Sequence, residues 1–298
     1  MTKHLFGIVC TLHGPAANNR GETDGNVTSL QKLLWNGRVH TTVSAEAIRF
    51  AIRQTWQSLA EPVNRHWDEG PRQHVWLDPE FVQGAASFID DDLLGFMSAK
   101  ASKQEGTKGE TKVRRSRLEL TRAVSLTPWA GDITFNAASI GATPSAQMKG
   151  ANPVPYGTEV HATRYQFGFA LTPEALKVPG RAVAAVRAIT DLHDVAGNHA
   201  RFLYDFSPAS IVFRWTDDFA PRMLYGFDCS AEGEVGLARV VRSVEAGDIA
   251  AAELIVGGEI ADTSDAARLQ AAGATVTKGI LQARDELLRR LSSDLGLD

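Results

Sequence analysis

Residues 165–171, YQFGFAL, constrain this chain more than any other stretch. Tyr165, Phe167, Phe169 and Leu171 alternate with Gln166, Gly168 and Ala170, and Arg164 precedes them in phase. A period of two over large side chains is the mark of a pleated strand with one face on a core. Three further segments carry strand signals. Residues 3–12 form a mostly apolar run that ends before His13-Gly14-Pro15. Leu118, Leu120, Val124 and Leu126 alternate with polar neighbours, and residues 132–136 extend this strand or pair with it. Ile211, Phe213 and Trp215 mark the last one.

Two helices separate these strands. The first starts near Thr42–Ser44, with Ile48, Ile52, Thr55 and Leu59 on one face beside Ala51. Arg49 and Arg53 stack four residues apart on another face, and Pro62 lies beyond its end. The second follows Pro179-Gly180 and carries Val183, Val186, Ile189 and Leu192. The skeleton reads β-α-β-β-α-β, which predicts an α+β fold with a ferredoxin-like or RNA-recognition-motif-like palm.

Residues 60–117 lack sustained periodicity and read as an insertion with short elements of its own. A second insertion, 137–162, is rich in Gly, Pro and small residues. In the opening segment 18–37, Thr28 and Gln31 spell a capping box and Asn36-Gly37 a helix stop, so a short helix is expected there. Residues 228–298 read as a peripheral acidic region, with helices over 231–246 and 264–292 and a strand at Glu253–Val256 between them.

At 298 residues with 44% hydrophobic content, the chain can bury a large core. Two cysteines are too few for a disulfide framework or a thiolate zinc site. No signal peptide or membrane-length apolar run is present, which points to a cytoplasmic protein with no membrane partner. The net charge of −4 hides an asymmetry. From Asp228 onward there are 13 acidic and 7 basic residues, leaving 22 acidic and 24 basic before it. Residues 100–122 hold eight Lys or Arg against three Glu, either a phosphate-binding face or a solvated loop.

Catalytic signatures are missing. There is no G-x-S-x-G, C-x-x-C, H-E-x-x-H or Walker sequence, and no nucleophile has an evident base. Asp90-Asp91-Asp92 offers hard oxygens, but three adjacent side chains diverge, and an acidic helix start is the plainer reading. His193, Asp194 and His199 lack a fourth ligand. No metal or other cofactor is expected.

RNA binding has more support. Polar and basic clusters fall at the ends of the expected sheet elements: Asn18-Asn19-Arg20, His40-Thr41-Thr42, Asn198-His199 with Arg201, and Arg114, Arg115 and Arg117. Arg neutralises phosphates, while Asn, His and Thr donate to phosphate oxygens and ribose hydroxyls. The start of the helix near Thr42 adds N–H groups for an anion. Against this stands the capping role that Asn and Thr fill in any turn. Aromatics arranged for base stacking are absent, so backbone binding is the better fit.

The stretch NNRGETDGNVTSLQKLLWNGRVHTTVSAEAIRFAIR resembles the signature of the DevR family, backbone subunits of type I-B CRISPR effector (Cascade) complexes. DDDLLGFM, RRSRLELTRAVSLTP, HATRYQFGFALTPEAL and GNHARFLYDFSPASIVFR are similar to later blocks of that family, in order from about residue 5 to 217. The resemblance implies a non-enzymatic protein that polymerises head-to-tail along guide RNA and leaves the bases to pair with target DNA. Its partners would be guide RNA, further copies of itself, other Cascade subunits, and target DNA through the guide. Residues 60–117 would be its fingers and 137–162 its thumb. Carried over, Asn18, Asn19, Arg20, His40, Thr41 and Thr42 would line the RNA, with Lys32 and Arg49 nearby. Arg114, Arg115, His161, Asn198, His199 and Arg201 join them. The rival readings are an endoribonuclease that processes the guide precursor, with His13, His40, His161 or His199 as base, and a standalone RNA-binding regulator.

Overall fold

The computed structural model describes residues 2–100, 110–139, 154–197 and 199–297, and of residues 19–21, 99, 100 and 110 the backbone alone. The principal elements are β1 (His4–Thr11), β2 (Lys32–Trp35), β3 (Arg38–Val43), α1 (Ala45–Ser58), α2 (Ile89–Leu93), β4 (Leu118–Leu120), β5 (Ala123–Ser125) and β6 (Tyr165–Leu171). They are followed by α3 (Arg181–Thr190), β7 (Pro208–Thr216), α4 (Ala238–Glu245), β8 (Leu254–Gly258), α5 (Ser264–Ala271), β9 (Thr275–Thr277) and α6 (Ile280–Leu295).

β1 is buried along its whole length because both faces are covered. It lies inside a mixed sheet of spatial order β9-β8-β7-β1-β6-β5-β3-β2, with β4 also paired to β6. β6 runs antiparallel to β1 from Leu5↔Leu171 to Cys10↔Gln166, and β7 is antiparallel to β1 on its other side. β5 is antiparallel to β6. Chain order β1–α1–β5–β6–α3–β7 therefore gives the spatial order β7-β1-β6-β5.

Alternation assigns the two faces. Leu5 and Val9 join Phe167, Phe169 and Phe213 against Ile48, Ile52 and Trp56 of α1, Val186 and Ile189 of α3, and Leu287 and Leu291 of α6. Phe6, Ile8, Cys10 and Val212 point the other way, into a second cluster with Val240 and Val241 of α4 and Leu269 of α5. Residues 228–298 are thus not a peripheral addition. They supply two strands of the sheet and the layer over its second face. An acidic surface hides this role in the sequence, since a short helix needs only a narrow apolar stripe to seal a sheet.

α1 begins as expected, with Ser44 Oγ accepting from the Ala47 N–H at 3.2 Å. Its buried stripe is Ile48, Ala51, Ile52 and Trp56, whereas Leu59 is 68% exposed at the C-cap. Arg53 is buried rather than stacked on a surface.

The expected helix in 18–37 is instead a set of strands, with Asn19–Asp24 pairing antiparallel to Val27–Leu30 and β2 to β3. Trp35 faces Arg38 across Asn36-Gly37, whose φ angles are 48° and 75°. Positive φ at both central residues is what a tight hairpin turn demands, so Asn-Gly marks a reversal here and not a helix end. Val27–Leu30 also pairs in parallel with Val154–Glu159, which pairs antiparallel with Ile133–Ala138. The expected thumb segment is therefore built onto the opening hairpin; residues 140–153 lie outside the described residues.

The 60–117 insertion carries hairpins Arg65–Asp68/Gln73–Trp76 and Phe96–Lys100/Glu110–Arg114 around α2, with residues 101–109 outside the described residues. Asp90, Asp91 and Asp92 form the expected acidic first turn of a helix, α2, and all three are buried, so they tie the insertion down from inside. Asp90 accepts from the Asn64 N–H at 2.7 Å, the Arg65 N–H at 3.0 Å and Arg53 Nε at 3.2 Å. Asp92 accepts from the Lys177 and Val178 N–H groups and pairs with Arg114 at 2.5 Å and Arg181 at 3.1 Å. Buried carboxylates persist only with such donors.

Candidate nucleic-acid interface

The His40-Thr41-Thr42 run lies on β3, whose last four residues are buried where the sheet meets the opening hairpin. His40 Nδ1 is 2.7 Å from the Ser125 carbonyl oxygen. Thr41 Oγ1 lies 2.8 Å from His161 Nδ1 and 2.9 Å from the Tyr165 hydroxyl. Asn18 Nδ2 donates to the Thr42 carbonyl at 2.7 Å, and Arg122 NH1 donates to both Thr42 Oγ1 and Gln31 Oε1 at 3.2 Å. The Ala17 N–H donates to His199 Nδ1 at 3.1 Å, which ties the 193–203 loop to the same corner.

Asn18, His40, Thr41, Thr42, His161 and His199 are thus brought together, but as a buried layer with bonded side chains. Burial pushes the His161 imidazole down to about 4, with His40 adding to the effect. His199 is lowered by burial too. Both rings are neutral at pH 7, so their part is to hold the backbone, with no positive charge for a phosphate. His161 and His199 are engaged through both ring nitrogens and His40 through Nδ1, while His13 is exposed.

Above this layer lies Lys32 on β2, paired with Glu159 at 2.5 Å and stacked over Trp129 at 4.0 Å. Glu159 also accepts from the Leu30 N–H at 2.7 Å, so the Lys32 charge is held where the opening hairpin meets the Val154–Glu159 strand. Arg38 and Arg201 are exposed. Arg201 lies in a loop in which His199, Ala200, Arg201 and Leu203 all have positive φ, a conformation that non-glycine residues rarely adopt. The side chains of Asn19 and Arg20, and all of Asn198, lie outside the described residues.

The other expected residues sit elsewhere. Arg49 donates to the Leu94 carbonyl and lines, with Arg114, a cavity at the base of the 60–117 insertion. Arg115 is exposed and paired with Glu119 at 2.6 Å. Residues missed in the sequence are Arg122, Ser125, Thr127 and Glu159. Thr127 Oγ1 reaches His161 Nε2 at 3.2 Å and Thr163 Oγ1 at 2.8 Å. The SLTP run at the end of β5 carries two of them, and no periodic signal separates such hydroxyls from ordinary turn residues.

Among the described residues no three His, Cys, Asp or Glu are grouped to hold a metal ion, and no helix is long and apolar enough to cross a membrane.

The comparisons with known proteins agree with this architecture. The family model for "CRISPR-associated negative auto-regulator DevR/Csa2" matches residues 10–181. A Myxococcus xanthus (strain DK1622) protein described as "CRISPR-associated protein Cas7/Cst2/DevR" is 55% identical over 298 residues, covering 98% of each chain. Two solved structures share the fold at low identity. One, from a "CRISPR RNA-guided surveillance complex", has TM-score 0.56 and 13% identity, covering 96% of this chain and 99% of that one. The other, from such a complex described as pre-nicking, has TM-score 0.63 and 9% identity, covering 97% and 100%. With its sheet, its opening block and nearly its whole length accounted for in this way, the chain belongs to the DevR/Csa2 family of CRISPR-associated proteins.

Proposed function

We propose that this chain is the non-catalytic backbone subunit of a Cascade-type CRISPR effector, of type I-B, acting in the cytoplasm. It polymerises head-to-tail along guide RNA, grips the phosphate backbone and presents the bases to target DNA beside other Cascade subunits. The observation that carries this reading is the 55% identity, end to end, to a Cas7/Cst2/DevR protein. The strand order β7-β1-β6-β5 supports a ferredoxin-like palm, with residues 60–117 as fingers and 137–162 as thumb. The buried His–Thr layer supports a positioning role for Asn18, His40, Thr41, Thr42, His161 and His199. In this reading they set the backbone of the opening hairpin against RNA, and Asn19, Arg20, Lys32, Asn198 and Arg201 meet phosphates and riboses. A processing nuclease is less well supported, because His40, His161 and His199 are buried and engaged.

Protein purified with and without nuclease treatment tests the reading through its absorbance ratio and size. Nucleic acid is expected to co-purify, and the stripped protein is expected to load on guide RNA in steps that grow with RNA length. Arg20→Ala should weaken loading several-fold on every guide sequence alike, with a steep salt dependence. A stripped monomer that ignores added guide, or a loss confined to some sequences, would contradict it.

A further inference from the structure

The base of the 60–117 insertion holds a cavity of about 440 Å³ lined by Arg49, Arg53, Arg65 and Arg114, with Glu46, Asp90 and Asp91 among them. Arg53 is neutralised by Asp90 and Arg114 by Asp92. Arg65 has a different environment. Its guanidinium lies over the Trp76 ring at 5.5 Å, and no ion pair engages it among the described residues. The Nε atoms of Arg65 and Arg114 are buried and have no hydrogen-bond partner among the described residues, which is costly and leaves these guanidiniums less fully satisfied than Arg53. Two exposed apolar side chains stand at the rim, Met97 at 73% and Val113 at 66%, opposite each other across the Phe96–Lys100/Glu110–Arg114 hairpin. Arginine beside an aromatic ring, flanked by exposed apolar groups, is the composition of a protein-binding hot spot.

A complementary surface exists on the same chain. A groove of about 620 Å³ is lined by Asp228, Glu234, Glu259, Asp262 and Asp265, with Arg164 as its one lining cation. The two surfaces lie at opposite ends of the central strands. The arginine cavity adjoins the stretch that enters β4, where Leu118 faces Leu171, while the acidic groove adjoins Arg164 and Ser210. Seven residues of β6 separate these ends, about 23 Å of strand. They also lie towards opposite faces of the sheet, since α1 carries Arg49 and Arg53 whereas α5 carries Asp265. Two different patches facing apart do not make a twofold contact; they join copies head to tail, into a ring if the rotation closes and into a filament if it does not.

We propose that the arginine cavity of one copy takes carboxylates of the acidic groove of the next, with Arg65 as anchor and Glu234 and Asp262 among its acceptors. This rests on the backbone reading above and names the surfaces it would use. Three variants test it: R65E, the pair E234K/D262K, and all three changes in one chain. R65M, which keeps the stem over Trp76 without a charge, guards against misfolding of R65E, and thermal midpoints are recorded for each.

Self-association of stripped protein is followed by sedimentation at low salt without RNA. Loading is then followed on a short RNA that holds one copy and on a long one. The wild type should self-associate with increasing concentration and load the long RNA cooperatively. R65E, R65M and E234K/D262K should each lose at least tenfold in self-association and in cooperativity while binding the short RNA as the wild type does. The combined charge swap should regain most of the loss. Unchanged self-association in R65E, R65M and E234K/D262K, or no recovery in the swap, would overturn the proposal and leave the RNA reading intact. Weaker short-RNA binding by R65M would also overturn it, because the cavity would then hold phosphate. A wild type that self-associates without RNA but ignores RNA would sink the functional reading alone.

Discussion

Asp92 is the residue on which the insertion turns. It is fully buried and receives two backbone N–H groups and two arginines. Asp92→Ala would leave Arg114 and Arg181 without their counter-charge, at a cost of about 3–5 kcal/mol. A urea midpoint within error of wild type would refute this. Two other buried groups set opposing pH dependences. His161 sits at about 4 instead of the ordinary 6.5, so the folded state holds fewer protons between those values. Its contribution to stability is full above pH 6.5 and falls as pH drops towards 4. Asp91 is pushed up by burial to about 6 from 3.8, so the folded state holds more protons in that window and stability falls as pH rises through it. His161→Gln should therefore flatten the loss of stability between pH 6.5 and 4. Asp91→Asn should raise the urea midpoint at pH 7.5, because an amide carries no ionisation to desolvate while its oxygen still accepts from Asn64 Nδ2.

Among the elements, β8 shows how backbone conformation fixes an edge. Gly258 has φ 93°, and a Cβ there would lie 2.1 Å from the Ala209 carbonyl oxygen. Gly258→Ala must strain the backbone and push β7 and β8 apart where Ser210 pairs with this residue. A loss of about 2–4 kcal/mol is expected, against about 1 kcal/mol for Gly37→Ala in the open β2–β3 turn. Equal unfolding midpoints for the two variants would refute the distinction. The periodic elements were legible in advance: β1, β6, β7, and α1, whose start was placed near Thr42–Ser44. The hairpin at Asn36-Gly37 was not, because the same dipeptide ends helices and reverses strands, and only the pairing of β2 with β3 decides.

For the whole molecule, the decisive feature is the covered second face of the sheet. A chain ending at residue 227 would lose α4, α5, α6, β8 and β9, exposing Phe6, Ile8, Cys10 and Val212 and removing Leu287 and Leu291 from the other face. Such a fragment is expected to aggregate or to bind a hydrophobic dye without a cooperative unfolding transition. A sharp two-state melt of residues 1–227 would show instead that the C-terminal third is dispensable. The acidic surplus of that third and the arginines of the insertion acquire meaning only at this scale, since the fold sends them to opposite ends of the sheet.

The sequence by itself determined the periods, and with them the order of the core strands and helices, because alternation and helical spacing are local consequences of backbone geometry. It also carried the family, through the blocks from residue 18 to 214. What covers each face was decided only by the tertiary structure. Period shows that Phe6 and Leu5 point oppositely, but not that helices lie on both sides. Nor does it distinguish an exposed His-Thr-Thr from the buried one found here. A polar side chain can be buried only where distant donors and acceptors converge, and Ser125, Tyr165 and His161 reach β3 only once the chain has closed.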